Sequence, residues 1–113
     1  MNNTVTNETT GDSYLRNYIE ENRDSFCGMP DEESLLAIKN DVAHIDNMCL
    51  NWVYGGHREY SVLETFLGLV KQVRLMYHTQ VEVTDKGREL VNGYRASMGN
   101  ISLEEELENR PAA

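Results

Sequence analysis

Six apolar residues, Leu35, Ile38, Val42, Ile45, Cys49 and Trp52, follow one another at alternating spacings of three and four. Residues three and four apart share one face of an α-helix, so the row predicts a helix with a continuous apolar seam. A second row, Val62, Phe66, Leu69, Val73 and Met76, repeats the spacing and predicts a second seam. Two adjacent helices of this kind must bury their seams against each other or against another chain. The expected fold is therefore all-α: a compact bundle of about four helices built on a central antiparallel helical hairpin.

The boundaries follow from capping chemistry. Residues 1–11 are polar, offer nothing to bury and are expected to form a disordered leader. A bundle domain is expected over 12–98, opening with a helix from Asp12 or Ser13 to about Cys27. Gly28-Met29-Pro30 stops that helix, and the seam helix runs from about Asp31 to Val53. Its first turn carries Asp31, Glu32 and Glu33, which complement the positive end of the helix dipole.

Gly55-Gly56 ends the seam helix, and Ser61 with Glu64 makes a capping box for a third, unusually apolar helix to about His78. Its apolar breadth is compatible with a homodimer. Thr79 to Val83 alternates and contains β-branched residues, so a short extended segment fits there. A fourth helix starts at Thr84 or Asp85 and reaches about Ser97. Residues 99–113 read as a short acidic helix or frayed tail, with Ser102 and Glu105 at capping-box spacing.

Charge limits the function classes. The chain of 113 residues has a net charge of −9, with 40% hydrophobic and 26% charged residues, an ordinary globular balance. Residues 1–46 hold ten acids against three bases, whereas 47–98 hold five acids against six bases. A surface that tracks phosphates needs a basic stripe, so direct nucleic-acid binding is not expected. A protein partner with a basic surface fits the sign better. Apolar runs are too short to span a membrane. The first residues lack a basic leader and an apolar stretch, and the two cysteines do not make a disulfide framework; the expected location is the cytoplasm.

The stretch Val83-Thr84-Asp85-Lys86-Gly87-Arg88-Glu89-Leu90 resembles the step from wing strand to final helix in winged-helix regulators. The resemblance covers about eight residues and implies a two-stranded wing and a recognition helix just upstream. The residues themselves predict one long apolar helix there, and the acidic balance argues against DNA.

Candidate chemistry is sparse. Asp41, His44 and Met48 are spaced by single helical turns, and Glu64 on the next helix faces Asp41 or Asp46 in an incomplete echo of a di-iron bundle. Cys49 with His44 or His57 is conceivable as a thiol site, but its place on the apolar seam disfavours reactivity. No metal ligand set and no cofactor motif is present, and an enzyme is not expected.

Residues 52–60 gather Trp52, Tyr54, His57, Arg58 and Tyr60, and Trp, Tyr and Arg are enriched in interface hot spots. These five are the candidate partner-binding residues. The competing reading is that Trp52 plugs the end of the core. Arg58, Lys71 and Arg74 form a candidate anion site, the latter two on the polar side of the third helix. The expected function is thus a non-catalytic acidic helical module that binds a protein and inhibits or adapts it. By analogy of size and charge it is comparable to phage or bacterial inhibitors, immunity proteins and chaperones. The alternatives are an oligomer that sequesters a small anion such as a nucleotide, and a small metal- or thiol-dependent enzyme.

Overall fold

A computed structural model of the chain describes residues 9–51, 61–74, 76–77 and 79–110. It is mainly helical, with one two-stranded antiparallel sheet. Five α-helices occur among the described residues: α1 (Thr10–Glu21), α2 (Asp31–Asn51), α3 (Val62–Phe66), α4 (Asp85–Ser97) and α5 (Leu103–Asn109). A short 3-10 turn spans Arg23–Phe26, and strands β1 (Val70–Arg74) and β2 (Thr79–Val83) form a hairpin between α3 and α4.

Over its described residues, 35 to 49, the first seam behaves as its spacing predicts. Leu35, Ile38, Val42 and Ile45 are buried, joined by Met48, while Cys49 is half-buried at the edge. Each fully buried aliphatic side chain contributes about 1.5–3 kcal/mol, which makes α2 the main apolar surface of the fold. It packs against α1, α4, α5 and β2, with Leu15 and Ile19 of α1, Leu90 and Val91 of α4 and Leu103 of α5 completing the core. α1 begins at Thr10, capped by Thr9, whose hydroxyl accepts from Asp12 N–H at 3.0 Å.

The second seam does not form a long helix. α3 ends at Phe66, and the central antiparallel helical hairpin gives way to a short helix followed by a β-hairpin. Gly68 is the physical reason. It adopts φ +73°, a conformation glycine enters without steric cost. The Gly68 N–H donates to Thr65 O at 3.0 Å and the Leu69 N–H to Glu64 O at 2.9 Å. These two reverse bonds close the helix with a left-handed cap. Of the predicted seam, Leu69 is fully buried but Val62 and Phe66 point outward. Of the apolar breadth compatible with a homodimer, Leu67, Leu69 and Val70 are buried within the chain, whereas Val62, Phe66, Met76 and Tyr77 stay exposed.

The hairpin pairs Val70 with Val83 and Arg74 with Thr79 at its two ends. Thr84 joins it to α4: its N–H donates to Leu69 O at 3.0 Å, and its side chain caps the helix by accepting from Gly87 N–H at 3.1 Å. The sequence stretch that resembles a winged-helix step thus does lead out of a two-stranded hairpin, where a helix was expected. At the far end Ser102 caps α5 by accepting from Glu105 N–H at 3.1 Å.

Arg95 ties three helices together. Its Nε donates to Asp46 of α2 at 2.7 Å, and its Nη1 donates to Glu106 of α5 at 2.8 Å. No helix among the described residues is long and apolar enough to cross a membrane.

Candidate functional site

The polar feature that departs most from a plain apolar core lies where α3 meets α2. Ser61 is the N-cap of α3, and its hydroxyl accepts from the Glu64 N–H at 3.0 Å. The same hydroxyl donates to Asp41 Oδ1 on α2, also at 3.0 Å. Glu64 points back toward α2, where its Oε1 lies 2.8 Å from His44 Nδ1. Asp41 and His44 are one turn apart on α2, so α3 is fastened to a single helical face.

Burial makes this cluster unusual. Glu64 is 1% exposed and Asp41 6% exposed, whereas charged carboxylates are rarely fully buried. Asp41 Oδ2 and Glu64 Oε2 are buried without a hydrogen-bond partner, and the two carboxyl groups act on each other. Burial first and the nearby Glu64 second push the Asp41 carboxyl up to about 7, against the opposing Ser61 hydroxyl and His44. The cluster can hold a proton, but Asp41 and Glu64 are too enclosed for a substrate to reach.

The sequence-predicted sites fare differently. Trp52, Tyr54, His57, Arg58 and Tyr60 lie outside the described residues. Lys71 and Arg74 are exposed, but they stand on β1 rather than on a helix. Three apart on a strand means opposite faces, so the structure does not bring them together. Lys71 instead sits opposite Glu82 across the hairpin, a pairing of opposite charges.

Cys49 and His44 are not brought together either. Cys49 lines a mostly apolar cavity of about 340 Å³ together with Met48, Val81, Val83, Leu103 and Leu107, and His44 has no part in it. Burial pushes the Cys49 thiol up, which favours the unreactive protonated form. Both cysteines are free. Among the described residues no group of three or more His, Cys, Asp or Glu is placed to hold a metal. A wider groove of about 870 Å³ has Arg95 in its wall, but that guanidinium is committed to Asp46 and Glu106.

The surface carries a second feature, in residues that the sequence reading assigned to one long apolar helix. Val62 and Phe66 on α3 are 66% and 59% exposed, and Met76 and Tyr77 at the hairpin turn are 85% and 90% exposed. Sequence reasoning missed them because their helical spacing placed them on an apolar face. Sequence reasoning also missed the Ser61–Asp41 bond, although the spacings Asp41-x-x-His44 and Ser61-x-x-Glu64 were each visible separately. No family model matches the chain, and neither a curated protein nor a solved structure matches it.

Proposed function

We propose that the chain is a non-catalytic binding module that docks on another protein, to inhibit or adapt it, with α3 and the hairpin turn as the contact surface. One observation carries this reading: four large apolar side chains, Val62, Phe66, Met76 and Tyr77, stand in water within a single stretch of chain. Exposed apolar residues scattered singly need no explanation, but a concentration of them points to a binding surface. Phe, Tyr and Met are also the types enriched at the centres of interfaces.

The partner we favour presents a basic surface. Acids cluster in the first turn of α2 (Asp31, Glu32, Glu33) and in α5 (Glu104, Glu105, Glu106). With a net charge of −9, the chain attracts such a partner at long range, and the apolar side chains then anchor it. We place this binding in the cytoplasm, in keeping with the two free thiols.

The test is a photo-activatable cross-linker installed at position 77 of the full chain in its native cell, with position 89 on the exposed side of α4 as control. The expected result is a discrete protein adduct from position 77 alone. An adduct of equal yield from position 89, a nucleic-acid adduct or no adduct from position 77 contradicts the reading. An adduct to a second copy of this chain would identify the partner as itself.

A further inference from the structure

The geometry points to a proton-operated clasp: Asp41 of α2 and Glu64 of α3 share one proton, and that proton holds the short helix against the long one. The clasp stands independently of the docking reading.

Four side chains make it. Ser61 engages Asp41 Oδ1 and His44 engages Glu64 Oε1, which leaves Asp41 Oδ2 and Glu64 Oε2 buried without a hydrogen-bond partner in two carboxyl groups that act on each other. Two carboxylates in that position repel and leave both oxygens unpaired. A single proton between them turns the repulsion into a hydrogen bond and satisfies both atoms. α3 is short, running only from Val62 to Phe66, and beyond the clasp it rests on the 3-10 turn and β1 through Leu63 and the C-cap Leu67.

Among the described residues the charges nearest the site are engaged elsewhere or exposed. On α2, Lys39 is paired with Asp12 of α1 and Asp46 with Arg95 of α4. In the 3-10 turn beside α3, Arg23 is bound to Glu20 and Asp31, and Asp24 is exposed. On β1, Lys71 and Arg74 are exposed. The groups acting on Asp41 are therefore Glu64, Ser61 and His44, and burial with Glu64 raises it from its ordinary 3.8 to about 7.

The sign follows from proton counting. Below about pH 4 Asp41 is protonated in both the folded and the unfolded chain. Between about 4 and 7 the unfolded chain releases this proton while the folded chain keeps it, so stability falls as pH rises through that window. Above it both forms are ionised and the fall stops.

Carboxyl-carbon NMR titration of the full chain tests the clasp, with Glu64→Gln and Asp41→Asn as variants. Asp41 is expected to titrate near pH 7, and in Glu64→Gln its midpoint should drop by about one pH unit or more. Asp41→Asn, which keeps the shape and loses the charge, should lack the decline in stability between pH 4 and 7. An Asp41 midpoint near 4 overturns the clasp, as does a midpoint unmoved by Glu64→Gln. Both of those readings come from chains that retain Asp41, so failure of Asp41→Asn to fold leaves the test intact.

Discussion

Gly87, in the first turn of α4, lies so close to Leu69 that a β-carbon on it would stand 2.4 Å from the Leu69 carbonyl oxygen. The same carbonyl accepts the Thr84 N–H, so it cannot move without loosening the junction between hairpin and helix. A glycine that looks like a weak point in a helix is therefore a contact point. Gly87→Ala is expected to destabilise the fold by about 2–3 kcal/mol despite the better helix propensity of alanine. Chemical denaturation of the variant checks it.

Ser61 performs two tasks with one hydroxyl, capping α3 and donating to Asp41. Ser61→Ala should therefore cost more than an isolated cap, about 2 kcal/mol in total. The loss should be concentrated in α3, with faster amide exchange at Glu64 and Leu67 than in α2. Hydrogen exchange read residue by residue distinguishes this from uniform weakening.

These two positions show what the sequence could and could not reveal. α2 was legible because its apolar spacing and its acidic first turn agree with each other. The limits of α4 were legible because Thr84 is a capping residue and Met98-Gly99-Asn100 is a stop signal, and the strand Thr79–Val83 because it alternates. The other strand was not legible. Val62, Phe66, Leu69, Val73 and Met76 fit helical spacing as well as they fit a short helix followed by a strand, and one glycine within an apolar run does not decide between them. Gly68 decides only through its positive φ, a property of the folded chain. The Asp41–Glu64 contact was half visible for the same reason, since it depends on how the short α3 is seated.

Arg95 should be the most sensitive charged residue. Its side chain is mostly buried and bridges Asp46 and Glu106, which are each about one-third exposed. Arg95→Met is expected to cost about 1–3 kcal/mol, below the range for a fully buried network because both partners meet solvent. The Arg95 bond holds Glu106 below its ordinary carboxylate value of 4.5. Its contribution is thus present above about pH 4.5 and lost as pH falls through the depressed value. Glu106→Gln should remove part of the acid-side loss of stability, read from denaturation midpoints below pH 5.

The two thiols should react at different rates. Cys27 is exposed, whereas Cys49 is half-buried and pushed toward its protonated form. A maleimide should label Cys27 first and Cys49 only slowly, with mass spectrometry assigning the sites. Equal rates would mean that the cavity around Cys49 opens readily.

The docking proposal depends on Met76 and Tyr77 being free of any structural task. At 85% and 90% exposure, replacing both with serine should leave stability within about 0.5 kcal/mol. The decisive measurement is the affinity of the cross-linked partner, once identified, for the wild-type chain and for the Met76→Ser, Tyr77→Ser double variant. The account predicts an unchanged melting curve and binding at least about tenfold weaker, as expected when interface anchors are removed. Unchanged affinity in a variant that folds as the wild type does would contradict it.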